Sequence, residues 1–279
     1  MADWDKIIGN GNIEDRRGMG GPALLAGGGG LVAILLTIGL NFLGLNVSPS
    51  VVQDILNSAQ SISGSQADQS QQPEEFRGDD SYEVFTRKVL GSTDEVWASV
   101  FAQNQLTYEK PTLVLFRSAT QSGCGYATSE VGPHYCPADS TIYLDETFFG
   151  ELRDRFGADT GDVAQAYVIA HEVGHHVQNQ LGAFNTSAAG TQEGSIALEL
   201  QADCYAGVWA YTQSKNNVIK AGEIDQALSA AAAVGDDRIQ QATQGRVTPE
   251  NWTHGSSEQR VNAFTTGFTT GQPGKCMDV

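Results

Sequence analysis

No charged residue occurs between Gly18 and Gln53. Inside that window Pro22–Val47, PALLAGGGGLVAILLTIGLNFLGLNV, is a 26-residue apolar stretch. About 20 residues suffice to cross the hydrocarbon core of a bilayer. The GGGG run at Gly27–Gly30 lowers helix propensity, but lipid leaves the backbone no alternative to a helix. A cleaved signal peptide is disfavoured, because no A-x-A-like site follows and the run is long for a signal core. A soluble core helix of this length without one charge is rarer still. The stretch therefore predicts one N-terminal transmembrane helix. Arg16 and Arg17 sit just before it, and the next basic residue, Arg77, is far behind. The positive-inside rule then puts the N-terminus in the cytoplasm and everything after Val47 outside.

This divides the chain into a cytoplasmic segment 1–21, a membrane helix 22–47, a tether 48–80 and a globular domain 81–279. The tether is dominated by serine, glutamine and aspartate, as flexible linkers are. In the globular part, Tyr82 to Gln105 has a helical rhythm (Val84, Phe85, Val89, Trp97, Val100, Phe101). PTLVLFR (Pro111–Arg117) and TIYLD (Thr141–Asp145) read as strands. Helical patterns follow near 160–181, 193–214, 221–242 and 256–268. A small sheet before a helical block is an α+β arrangement. The formal net charge of −17 argues against nucleic acid, since nothing here would neutralise phosphates.

Three of the five histidines fall in VIAHEVGHHVQNQLG, Val168–Gly182. Val163, Tyr167, Ala170, Gly174, Val177 and Leu181 recur at three- and four-residue steps, so the segment is a helix with an apolar face, and Gly182 stands where such a helix ends. His171 and His175 are one turn apart on one face, where two imidazoles can hold one metal ion. Glu172 lies beside them, placed to act on a metal-bound water. His176 points about 100° away on the helix and reads as structural.

A catalytic zinc takes a third protein ligand and keeps an open position. The next helix, SIALELQADCYAGVWAY (Ser195–Tyr211), carries Glu199 and Asp203 four residues apart among apolar neighbours. Such a carboxylate pair is costly to bury without a cation. Glu199 is the expected third ligand. Asp203 is expected to accept a hydrogen bond from a ligand histidine and fix its tautomer.

HEVGHHVQNQLG, ELQADCYAG and THGSSEQR (Thr253–Arg260) together resemble the membrane-anchored bacterial neutral zinc metallopeptidase family. NIEDRRG (Asn12–Gly18), CGYA…GPHYCPADSTIYLD and AAAVGDDR (Ala231–Arg238) fit the same pattern, so the likeness runs through most of the chain. More distantly, HExxH followed by ExxxD is similar to the gluzincin peptidases. The resemblance implies a zincin-like (minigluzincin-like) domain, a Zn2+ cofactor held by His171, His175 and Glu199, and a zinc-activated water with Glu172 as general base. It also makes His254 a candidate donor to the oxyanion, with local hydrogen bonding at a helix start as the competing role. Arg260 is a candidate scaffold partner for an acidic residue, and His134 lies in the loop before TIYLD. An edge strand beside the metal would bind extended substrate, and the sequence does not say which strand is the edge.

The four cysteines suit an exported domain. Cys124 and Cys136 flank a short loop, and a Cys204–Cys276 bridge would pin the C-terminus to the third-ligand helix. Both pairings are expected, with a second zinc on the cysteines as the alternative. The expected protein is thus a single-pass, extracytoplasmic metallopeptidase acting on protein or peptide. A non-catalytic, zinc-stabilised envelope binding protein and a zinc amidase of cell-wall material are the rival readings.

Overall fold

The computed structural model describes residues 1–18, 80–129 and 131–279. The expected membrane helix 22–47 and nearly all of the tether lie outside the described residues. Among the described residues no helix is long and apolar enough to cross a membrane. The described chain is α+β: a small sheet and a block of helices.

The main sheet has strand order β1-β2-β6-β5. It is built from β1 (Asn12–Asp15), β2 (Thr112–Phe116), β5 (His134–Cys136) and β6 (Thr141–Asp145). β1, β2 and β6 run parallel and β5 runs antiparallel to β6. β3 (Ala119–Ser122) and β4 (Gly125–Thr128) form a separate antiparallel pair. β2 reads as continuous apolar sequence because both its faces are covered. Leu113 and Leu115, with Ile142 and Leu144 of β6, enter the main core. Val114, Phe116 and Tyr143 form a smaller cluster with Ala127 and Cys136. TIYLD is therefore an interior strand, and the edges are β1 and, beside TIYLD, β5.

Parallel neighbours need a crossover. α1 (Ser81–Gln103) supplies it between β1 and β2. Its first turn is capped by Asp80, whose side chain accepts from the backbone N–H groups of Tyr82 and Glu83 at 2.9 and 2.8 Å. Whereas the sequence sets residues 1–21 apart, Met1–Arg17 fold into one unit with the chain from Asp80 onward. The segment is short and polar, so its pattern gives no sign that it completes a sheet whose other strands lie far along the chain.

The helical block begins with α2 (Phe148–Phe156), which the sequence reading does not mark. α3 (Asp162–Gln180) and α4 (Gln192–Lys215) follow, close to expectation. Gly182 adopts the left-handed conformation (φ 76°) just past α3. The helix expected over 221–242 is two, α5 (Ile224–Ala233) and α6 (Asp236–Gln244). They are broken at Gly235, where a Cβ would lie 2.3 Å from the Ser257 nitrogen. α7 (Ser257–Thr270) starts at a capping box of Ser256 and Gln259. Two disulfides close the framework, Cys124–Cys136 and Cys204–Cys276, with Cα separations of 5.7 and 5.5 Å.

Candidate metal centre

α3 is buried on nearly every side, with His171 buried and His175 partly so. It meets α4 at Gly174, between those residues. A Cβ there would lie 2.9 Å from both the Cα and the carbonyl oxygen of Ala202. Only glycine allows this approach, and the approach brings Glu199 against the histidines. His171 Nε2 lies 3.3 Å from one Glu199 oxygen and His175 Nε2 lies 3.3 Å from the other. Among the described residues, these three are the group whose donor atoms, all within 4.8 Å of one another, could hold a metal ion.

Each histidine is fixed through its other nitrogen. His171 Nδ1 is 2.8 Å from Asp203 Oδ1. Asp203, fully buried, also accepts from Arg260 (Nε to Oδ2 2.7 Å, an Nη to Oδ1 3.0 Å) and from the Tyr167 hydroxyl. His175 Nδ1 is 2.8 Å from Gln178 Oε1, and the Gln178 amide nitrogen donates to Leu198 O at 2.7 Å. Both rings therefore carry hydrogen on Nδ1, which leaves Nε2, turned toward Glu199, as the nitrogen that would give up its proton to a metal ion. Gln178 escaped the sequence reading. Its signal was an amide three residues beyond the second histidine, on a helix that turns out to have no solvent face there.

The electrostatics favour a cation. Burial alone would lower the His171 pKa, but the carboxylates of Asp203 and Glu199 outweigh it and lift it to about 10. His175 is raised in the same way, against its burial, by Glu199. Burial would raise Glu199, yet the two imidazoles hold its carboxyl well below the usual range. With neutral imidazoles, the carboxylates of Glu172, Glu199 and Asp203 face the single guanidinium of Arg260 across this cluster. Two negative charges remain, the charge a divalent ion balances. Glu172 is buried, and its Oε2 has no hydrogen-bond partner in the protein. A Zn2+ ion fits this donor set of two imidazoles and one carboxylate, with an unpaired carboxylate oxygen beside it.

The ligand triad, Glu172 and Arg260 line one cavity with Tyr167, His134 and His254. Its walls are otherwise largely apolar, including Val131, Phe148, Phe184 and Ile239. His254 is half exposed on the loop before α7, with Nδ1 3.1 Å from Asp236 Oδ1. The other Asp236 oxygen accepts from the backbone N–H groups of Thr253, His254 and Gly255 at 2.7, 2.6 and 3.1 Å. One carboxylate thus shapes the loop and orients the ring, and these bonds, with His254 itself, hold the Asp236 carboxyl low against its burial. Asp236 also escaped the sequence reading, since nothing local links it to a histidine eighteen residues on. His134 stacks on Tyr143 with ring centroids 5.4 Å apart. His176 is turned away from the triad, bonded to Tyr135 and the Glu109 carbonyl.

The sequence model of the family described as "Putative neutral zinc metallopeptidase" matches residues 2–279. "Uncharacterized protein YpfJ" of Escherichia coli (strain K12) is 41% identical over 281 residues, covering 95% of this chain and 94% of that protein. "Uncharacterized protein Rv2575" of Mycobacterium tuberculosis (strain H37Rv) is 48% identical over 198 residues, covering 66% of each chain. No solved structure matches.

Proposed function

The chain belongs to this neutral zinc metallopeptidase family, whose cofactor is Zn2+, and we propose that it hydrolyses peptide bonds in extended protein segments with Glu172 as general base. The observation that carries the reading is the unpartnered Glu172 Oε2, buried beside the triad. A purely structural zinc site has no use for such a base. His171, His175 and Glu199 would hold the metal. Bound there, Zn2+ would supply a Lewis acid that polarises the scissile carbonyl and acidifies the attacking water.

The protein's own groups do the rest. Glu172 takes the proton of the attacking water at Oε2 and returns it to the nitrogen of the departing amine. His254, oriented at Nδ1 by Asp236, turns Nε2 to the carbonyl oxygen as it gains charge. Asp203 and Gln178 hold the two ligand rings in one tautomer. The substrate backbone adds to β5, the edge strand on the cavity side, since Val131 to Tyr135 line the cavity. Two disulfides support an oxidising compartment outside the cytoplasm.

The test uses the zinc-loaded full chain, as wild type and as Glu172→Gln, on a mixed peptide library read by mass spectrometry. The expected result is cleavage by wild type, reduced about 10²–10⁴-fold in the variant at equal zinc content. No cleavage by either protein would sink the peptidase reading. A cell-wall amide panel and partner capture would then decide between the amidase and the binding protein.

A further inference from the structure

α3 carries a metal-ligand candidate and, at the very next residue, a tie to the edge strand. His175 Nε2 faces Glu199 at 3.3 Å. His176 is turned about 100° around the helix and reaches β5. Its Nδ1 lies 3.1 Å from the Tyr135 hydroxyl, and the two rings meet edge to face with centroids 5.4 Å apart. Asn179 lies three residues further along the same face. Its Nδ2 donates to the same hydroxyl at 2.9 Å and to the Pro137 carbonyl, just past the strand, at 3.4 Å.

The protons of this network have one arrangement. On its far side, His176 Nε2 lies 2.6 Å from the Glu109 carbonyl oxygen. A carbonyl only accepts, so Nε2 carries the hydrogen and Nδ1 is left as an acceptor. The Tyr135 hydroxyl then donates to Nδ1, while its oxygen accepts from Asn179. Both ring nitrogens and the hydroxyl are satisfied. His176 and Tyr135 are buried, so removing the hydroxyl strands an imidazole nitrogen where water reaches it poorly.

The rest of β5 is held from its other face. Successive strand residues point to opposite sides. His134 stacks on Tyr143 and Cys136 is bonded to Cys124. Tyr143 and Cys136 belong to the smaller apolar cluster, whereas Tyr135, the middle residue of the strand, enters the main core against α3. Its hydroxyl is thus where the strand that borders the cavity is fastened to the helix that carries His171 and His175.

We propose that Tyr135, clamped by His176 and Asn179, is a positioning residue that sets β5 at the height over the metal site where an extended substrate is bound. The proposal rests on the peptidase reading, with the substrate backbone added to β5. Main-chain hydrogen bonds to an edge strand hold the substrate in the ground state and the transition state alike. A displaced β5 therefore weakens binding and leaves the groups at the scissile bond in place. The histidine that directly follows the HExxH motif serves the strand and not the metal.

The test uses the zinc-loaded full chain as wild type, Tyr135→Phe, Asn179→Ala and the double variant. Tyr135→Phe removes one oxygen and keeps the ring in the core. Asn179 is only partly buried, so Asn179→Ala decides the matter should Tyr135→Phe fail to fold. KM and kcat are measured on a peptide that the wild type cleaves, zinc affinity by chelator competition, and backbone hydrogen exchange over residues 131–137 by mass spectrometry. The expected result is a KM about tenfold higher in each single variant, the worth of one buried hydrogen bond, and little more in the double variant, since the two groups act on one hydroxyl. Exchange over 131–137 should quicken, with kcat and zinc affinity close to wild type. Unchanged KM in the single variants overturns the proposal, as does a loss that falls on kcat or zinc affinity with KM unchanged, the mark of a merely structural role. A wild type that cleaves no peptide sinks the peptidase reading and this proposal with it, whereas unchanged KM against an active wild type sinks this proposal alone.

Discussion

Arg260 and Asp203 form a buried ion pair directly behind a metal-ligand candidate: the guanidinium Nε lies 2.7 Å from Asp203 Oδ2, while Asp203 Oδ1 lies 2.8 Å from His171 Nδ1. The pair joins α7 to α4 and, through the imidazole, to α3. Removing one partner strands the other charge in the interior. Arg260→Ala is expected to cost about 3–5 kcal/mol of stability, read by denaturant unfolding of the zinc-free chain. Asp203→Asn, closer in shape, is expected to weaken zinc binding about 10–100-fold, read by chelator competition. A stable Arg260→Ala variant would show that the guanidinium is not needed to balance Asp203.

Gln178 holds His175 as Asp203 holds His171. Gln178→Leu removes the acceptor for Nδ1–H and leaves the Leu198 carbonyl without its donor at 2.7 Å. Zinc affinity is expected to fall about tenfold or more. Gln178→Glu keeps an acceptor for His175 and should retain more of that affinity than Gln178→Leu. Equal losses in the two variants would mean that packing, not ring orientation, is what Gln178 supplies.

Asp236→Ala frees both the Thr253–Gly255 loop and the His254 ring. Because neither touches the metal ligands, zinc content should stay near one per chain while kcat/KM on a cleaved peptide falls about 10²–10³-fold. His254→Ala should fall by a similar factor, and the double variant little further, since the two act as a unit. Additive losses would place Asp236 outside the histidine's role.

Asp94 gives the chain a pH dependence away from the metal. Burial on α1 lifts its carboxyl from the ordinary 3.8 to about 6, against the opposing pull of Lys110, whose Nζ is 3.7 Å away. The folded state thus binds this proton more tightly than the unfolded chain does. Its contribution is fully present below about pH 4 and is lost as pH rises through about 6. Unfolding free energy should therefore carry a downward component of at most about 3 kcal/mol across that window. Asp94→Asn should remove it, which the difference between the two stability–pH curves measures. Parallel curves would show that folding leaves the Asp94 pKa unchanged.

What was legible in the sequence is what depends on local spacing. The i, i+4 placement of His171 and His175, and of Glu199 and Asp203, survives any tertiary arrangement of two helices. So does the α+β order of elements. What stayed hidden depends on encounters between distant segments. Gly235 breaks a helix because Ser257 packs on it, and the local pattern of 221–242 contains no such information. TIYLD becomes interior because β2 and β5 flank it. NIEDRRG stood out as a family block, but a four-residue strand alternating with charges looks like any polar terminus. Its ion partners, Asp80 and Glu146, lie beyond the apolar run.

The β1–β2 pairing also sets a kinetic condition on the fold. Asn12 meets a partner a hundred residues away, so the first strand of the chain has nothing to pair with until α1 and β2 have been made. Closing that loop carries an entropic cost that rises slowly with its length, and high contact order slows folding. During the wait β2 presents a bare edge, the kind that recruits other chains. Docking of the amino terminus is thus the natural last step of folding, and the dwell before it is when such a chain most needs a chaperone.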